Sequence, residues 1–234
     1  MVRHGAAELS PPLGRSGTRL SAQSNSATPA SQRPSDSQSH AEIYDEGVEP
    51  WEFSEPIRTE RVTLRLLEPA DAPAVHAWMG DPEVTRYQLY EPRSLEVVEE
   101  KVAEYAQARR LAEKGDYLQP AIVVDGEVIG AMYLTITSLD DATAEIGWAL
   151  RADRQGRGYA TEAAELVLDL AFDTLGMHRV VAELDPRNAA SVALCERLGM
   201  RHEAHFVENL WFKGEWADTG IYAILDREWR ARRS

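Results

Sequence analysis

The run Arg154-Gln155-Gly156-Arg157-Gly158-Tyr159-Ala160-Thr161 is where residue types and spacing point most directly to chemistry. It falls between a stretch that reads as a strand and one that reads as a helix, where unpaired main-chain N–H groups and the positive end of a helix meet. Glycines there let a ligand approach the backbone closely. Such a loop favours an anion, phosphate or pyrophosphate above all. A P-loop is excluded, because no Gly-Lys-Ser or Gly-Lys-Thr follows. A dinucleotide-binding Gly-x-Gly-x-x-Gly would use Gly156, Gly158 and the acidic Glu183 near the end of the next strand. Its third glycine position is Thr161.

The elements that must hold this loop can be read from periodicity. Before it, Thr143 to Leu150 alternates as a strand, with Ala144, Ile146, Trp148 and Leu150 on one face and Glu145, Gly147 and Ala149 on the other. After it, Ala160 to Leu175 has helical spacing. Its Glu162, Glu165, Asp169 and Asp173 make an acidic stripe, expected to be the solvated side. Upstream, Val62, Leu64 and Leu66 alternate with Arg61, Thr63 and Arg65 as a strand, and Ala70 to Met79 is a helix broken at Asp81-Pro82. Ser94 is placed to cap a helix whose apolar positions are Val97, Val98, Val102, Tyr105 and Ala106. Tyr117 to Val124 and Val128 to about Thr137 form a hairpin about Asp125-Gly126, a dipeptide suited to a type I′ turn. Downstream come a strand over Arg179 to Leu184 and a helix over Asn188 to Leu198 closed by Gly199. Strands over Glu203 to Phe212 and Thr219 to Leu225 then flank Lys213-Gly214-Glu215. Hairpins at both ends with strand, helix, strand between them predict an α/β fold of the mixed α+β kind, a sheet with helices packed on it.

Within this frame Gln155, Gly158 and Ala160 match, in register, the pyrophosphate loop Q/R-x-x-G-x-G/A of the GNAT superfamily of N-acetyltransferases. The strand Ala144-Glu-Ile-Gly-Trp-Ala-Leu before it, Asn188-x-x-Ser191 and Leu198-Gly199-Met200 after it, and the earlier Leu64-Arg-Leu-Leu-Glu-Pro and Asp81-Pro-Glu-Val-Thr-Arg-Tyr resemble the RimJ/RimL-type branch. The resemblance spans about residues 58 to 229. It implies a GNAT-like seven-stranded mixed sheet, flanked by helices and splayed between its fourth and fifth strands, with a wedge for the pantetheine arm of acetyl-CoA. The main chain of Trp148, Ala149 and Leu150 would pair with pantetheine, and Gln155, Gly156, Arg157, Gly158, Tyr159 and Ala160 would hold the diphosphate. Asn188 would orient pantetheine or acceptor, against the simpler role of a helix N-cap. Ser191 would protonate, or donate a hydrogen bond to, the departing sulfur, where many members of the superfamily use a tyrosine. The competing role is a first-turn serine bonding to backbone. For the base, Glu145 lies on the splayed strand, and Glu208 lies two residues from the family position, which aligns with Leu210. His202 and His205 are further candidates. Tyr87, Tyr90, Trp211 and Trp216 occur in segments that border the acceptor pocket of the family. No metal is implied.

Composition sets limits on partners. The chain has 234 residues, 44% hydrophobic and 27% charged, with a formal charge of −14. Such acidity argues against nucleic acid and anionic membranes and favours a cationic small molecule, unless it serves only solubility. Cys195 is the only cysteine, so no intrachain disulfide or cysteine zinc cluster is available. No run approaches the roughly 18 apolar residues of a membrane span, and no signal-peptide core is seen, so a cytoplasmic location is expected. Residues 1–50, rich in Ser, Pro, Ala, Gln and Gly, are expected to be a disordered tail ahead of a domain over 51–234. They carry four basic and six acidic side chains, leaving −12 of the −14 on the domain. The expected activity is transfer of an acetyl group from acetyl-CoA to a primary amine by direct attack on the thioester. The acceptor would be a protein N-terminal α-amine or a small cationic amine, and the protein a monomer or homodimer. The alternatives are a non-catalytic acyl-CoA-binding sensor and a dinucleotide-binding oxidoreductase.

Overall fold

The structure, a computed structural model, describes residues 50–233; the expected tail lies outside them apart from Pro50. Short strands β1 (Trp51–Glu52), β2 (Ile57–Arg58) and β3 (Thr63–Arg65) lead into helices α1 (Ala72–Met79), α2 (Pro82–Thr85) and α3 (Leu95–Tyr105). Strands β4 (Arg110–Leu111), β5 (Tyr117–Leu118), β6 (Ala121–Val124), β7 (Glu127–Ser138) and β8 (Thr143–Leu150) follow. Then come α4 (Tyr159–Asp169), β9 (Arg179–Leu184), α5 (Ala189–Arg197), β10 (Arg201–Phe212), β11 (Glu215–Leu225) and α6 (Asp226–Arg233).

One sheet runs in the order β10-β11-β9-β8-β7-β6-β3-β2, with β5 beside β7, and β1 pairs with β4 separately. Apart from the two-residue β2, and with β5 and β6 together making the first expected hairpin arm, its strands are those expected. Every pairing is antiparallel except that of β8 with β9. A doubly wound dinucleotide fold needs a mostly parallel sheet, so this topology removes the oxidoreductase alternative.

The parallel pair is also incomplete. Register between β8 and β9 runs from Thr143 opposite Arg179 to Glu145 opposite Val181 and stops there. Strand β8 nevertheless stays paired to β7 as far as Leu150, and β9 to β11 as far as Leu184. Each strand is held by its outer neighbour while the two diverge, which opens a wedge in the middle of the sheet.

Helices cover both faces. Ala163, Ala164, Val167 and Leu168 of α4 and Leu194 and Cys195 of α5 pack with Ile146, Trp148 and Leu150 in one cluster, while Val75 and Trp78 of α1 and Val98 and Val102 of α3 pack with Ala131 and Ala149 in the other. This is why Glu145, Gly147 and Ala149 are as buried as the opposite face of β8.

Several local expectations change. The first hairpin arm divides into β5 and β6 around Pro120, which has no N–H for a ladder. Val97 is 39% exposed, while Val98 and Val102 of the α3 stripe are fully buried and the half-buried Tyr105 packs against the same cluster. The long helix ends as α4 and continues as a π turn over Leu170–Thr174. The acidic stripe is only partly solvated. Glu162 is paired with Arg61, Asp169 accepts from Trp229 Nε1 at 2.9 Å and pairs with Arg233, and Asp173 lies 3.4 Å from Arg230. Most of the stripe is therefore a docking rail, largely for α6, a polar helix with a single buried side chain, Trp229.

Candidate active site

Where β8 and β9 part, a cleft of about 840 Å³ opens, lined by Trp148, Ala149 and Leu150 of β8, the loop before α4, and Asn188, Ser191 and Leu194 around α5. Its far wall carries Glu83 and Val84 of α2 and Tyr87 just beyond. Loop and wedge, expected from separate parts of the chain, thus share one cavity.

The loop is built to present donors. Gly156 and Gly158 have φ of +73° and +86°, and this left-handed backbone turns successive N–H groups to one side. Gln155 N–H donates to Ala152 O at 3.3 Å and Glu162 N–H to Gly158 O at 3.1 Å. Between them, the N–H groups from Gly156 to Thr161 have no protein acceptor among the described residues. The Gln155 side chain faces inward, where its Nε2 donates to Leu150 O at 3.1 Å and ties the loop to the end of β8. Arg157 turns back to Asp153 O at 3.3 Å and does not line the cleft. Tyr159 and Ala160 do line it.

Cations border the same end. Arg61 donates to Glu162 through Nε at 2.9 Å and Nη2 at 2.6 Å, with its guanidinium 5.3 Å over the Tyr159 ring. Burial pulls the Glu162 carboxyl upward, but hydrogen bonds from Thr59 and Arg61 and the charge of Arg61 hold it below the usual glutamate range. Arg154 pairs with Glu127, and Arg197 Nε lies 3.4 Å from Thr161 Oγ1.

Deeper in the wedge, Ser191 is 1% exposed and its Oγ accepts from Trp148 Nε1 at 3.3 Å. Asn188 caps α5, its Oδ1 accepting the Ser191 N–H at 3.2 Å, while also lining the cleft. The capping role and a ligand-facing position therefore coexist in one residue.

The proposed base residues sit elsewhere. Glu145 is buried at the point of divergence, opposite Thr135 and Val181, and Glu208 is exposed on a bulge of β10 with φ of +48°. Neither lines the cleft; its carboxylates are Glu83, Glu162 and Glu165. Of the aromatic candidates only Tyr87 reaches it. Tyr90 lies under the Arg93 guanidinium at 4.4 Å, and burial pushes its phenol far above the ordinary range. Trp211 and Trp216 form an exposed edge-to-face pair at 5.3 Å. His205 pairs with Asp218 at 2.7 Å, and His202 stacks on Tyr222 at 4.9 Å.

Sequence reasoning missed Arg61, Glu83, Leu194 and Arg197 as cleft residues. Leu194 and Arg197 carried a usable signal, since they follow Ser191 at helical spacing on one face of α5. Arg61 carried none, because its partner lies 101 positions away. The arrangement suits an extended ligand with phosphates at the loop and its far end near Ser191.

Residues 61–201 match the model of the acetyltransferase (GNAT) domain. An uncharacterized N-acetyltransferase of Bacillus subtilis, YnaD, is 31% identical over 74% of this chain and 98% of its own length. The spermidine N(1)-acetyltransferase of Vibrio cholerae is 25% identical over 74% of this chain and 97% of its own. A GNAT-family acetyltransferase structure from Bacillus anthracis superposes with a TM-score of 0.66 at 28% identity, covering 74% of this chain and all of that one.

Proposed function

The chain belongs to the GNAT acetyltransferase family, and from that premise we propose that it transfers the acetyl group of acetyl-CoA to a primary amine. The acceptor is a small cationic amine or a protein N-terminal α-amine. The protein acts in the cytoplasm as a monomer or homodimer and belongs to the RimJ/RimL-type branch, whose serine stands at Ser191. The observation that carries this is the run of open N–H groups from Gly156 to Thr161, set at the mouth of the wedge between β8 and β9. The relative that acts on spermidine supports the small-cation acceptor, as does the net charge of −14.

Bound acetyl-CoA supplies the thioester. The loop from Gln155 to Ala160 holds the diphosphate, and the exposed Arg157 reaches it by giving up its bond to Asp153 O. The main chain from Trp148 to Leu150 pairs with pantetheine amides, and a β8 N–H polarises the carbonyl. The amine nitrogen bonds to the carbonyl carbon, the carbon–sulfur bond breaks and its electron pair goes to sulfur. Ser191 hydrogen-bonds that sulfur, and Asn188 orients the arm beside it. A water chain carries the surplus amine proton to Glu145 or Glu208, or to Glu83, which is already on the cleft wall. Proximity supplies much of the rate.

The test is thiol release from acetyl-CoA in the presence of polyamines, aminoglycosides and peptides with free N-termini. Turnover with at least one amine is expected. Tight coenzyme binding with no turnover across the panel would instead mark an acyl-CoA sensor.

A further inference from the structure

A serine hydroxyl has two acceptor sites and one proton, whereas an indole N–H can only donate. The direction of the contact between Trp148 Nε1 and Ser191 Oγ is therefore fixed: Trp148 gives the hydrogen and Ser191 receives it, at 3.3 Å. With one lone pair occupied on that side, the hydroxyl proton must point away from the indole. It has no protein acceptor among the described residues, although the Ser191 side chain is buried and borders the cleft. Buried donors without an acceptor are rare, and one that faces a cleft is a candidate ligand contact. The Ser191 backbone is held separately, by its N–H to Asn188 Oδ1 and to Asn188 O. The main chain is thus fixed by α5, and the orientation of the hydroxyl is left to the indole.

We propose that Trp148 is a positioning residue, whose indole N–H turns the Ser191 hydroxyl toward the coenzyme sulfur. This rests on the acetyl-CoA reading of the same cleft. When the carbon–sulfur bond breaks, Ser191 donates a hydrogen bond to the thiolate and keeps its proton. The proton that finally reaches sulfur is the one released by the amine nitrogen, passed on through water from the glutamate that first takes it. The indole contributes twice, by holding one rotamer and by polarising the O–H that faces sulfur. Trp148 reaches from β8 and Ser191 from α5, so the contact also ties β8 to the helix that follows β9.

Free CoA is a sufficient probe, because its thiol titrates when bound. The complex is followed by ultraviolet absorbance of the thiolate, and binding itself by calorimetry. A hydrogen bond that stabilises the thiolate lowers the thiol pKa, so its loss raises it. Ser191→Ala is expected to raise the bound thiol pKa by about one unit, the size of a hydrogen bond to a charged group. Trp148→Phe is expected to raise it by a smaller amount, and the double variant to match Ser191→Ala alone. A protein with benzothienylalanine at position 148, which keeps the indole shape without the N–H, should behave as Trp148→Phe does and separates the effect from packing. A thiol pKa that stays at the wild-type value in both position-148 variants, or shifts that add fully in the double variant, would overturn the proposal. So would a Ser191→Ala complex whose thiol titrates as in wild type. Failure of CoA to bind at all removes the acetyl-transfer reading and this proposal with it, which the calorimetry distinguishes from the other outcomes.

Discussion

At Gly158 the backbone is left-handed, with φ of +86°, and an added Cβ would stand 3.5 Å from Arg61 Nη2. Space is available there, so the cost of a side chain is conformational, about 1–2 kcal/mol for most residues and less for Asp or Asn, which tolerate this region. Gly158→Asp therefore separates folding from binding. Its carboxylate would compete for the N–H groups meant for the diphosphate and repel the coenzyme. We expect more than a tenfold loss of CoA affinity by calorimetry and a fall of only a few degrees in Tm, while Gly158→Asn keeps most of the affinity. Equal affinities in Gly158→Asp and wild type would show that the diphosphate does not sit on this loop. The loop was legible in the sequence because its chemistry is local: the glycines, the helix start and the donors are consecutive. The Trp148 to Ser191 contact was not, since its partners are 43 positions apart and meet only through the packing of α5 against β8.

Between elements, Arg65 of β3 clamps Asp71 at the start of α1 through two hydrogen bonds of 2.7 and 2.8 Å, and Asp71 also accepts the Glu68 N–H at 2.8 Å. Burial pushes the Asp71 carboxyl up, but those hydrogen bonds and the Arg65 charge bring it below the usual aspartate range. A carboxyl lowered in the folded state adds stability that is complete above its unfolded pKa, about 3.9, and is lost as pH falls through the lower folded value. Asp71→Asn is accordingly expected to cost about 1–2 kcal/mol at pH 7. The gap to wild type should close below about pH 4, as wild type loses the same contribution. Urea unfolding across pH measures this, and a gap that persists undiminished at low pH would show that shape, not charge, makes the clamp. Element identity was readable wherever a pattern was self-contained. Asp125-Gly126, with φ of +52° and +80°, turns the hairpin as expected, and Ser94 caps α3 by accepting the Val97 N–H. Pieces stabilised by distant partners were not readable: β1 exists because β4 pairs with it, and α6 because Asp169 and Asp173 of the preceding layer receive its arginines and tryptophan.

Across the molecule, charge is unevenly placed. The chain carries −14 overall, yet Arg61, Arg154 and Arg197 border the loop end of the cleft, the first two paired with Glu162 and Glu127 and with Glu165 nearby, and Glu83 stands on the α2 wall. An acidic whole attracts a cationic acceptor over distances set by the Debye length, about 10 Å at 0.1 M salt. An anionic coenzyme meets opposing effects, repelled by the net charge and attracted by the arginines at the loop. Raising salt from about 50 to about 300 mM should therefore raise KM for a diamine or polyamine about threefold or more, and for a monoamine less. KM for acetyl-CoA should change by less than about twofold, because screening weakens both of its opposing terms. Steady-state rates over a salt series with acceptors of increasing charge measure the effect. If every acceptor responds alike regardless of its charge, the acidity acts on solubility alone and the preference for a small cation loses its electrostatic support. In that case a neutral or anionic N-terminal peptide becomes as good an acceptor as a polyamine, and acceptor choice rests on the shape of the wall formed by Val84 and Tyr87.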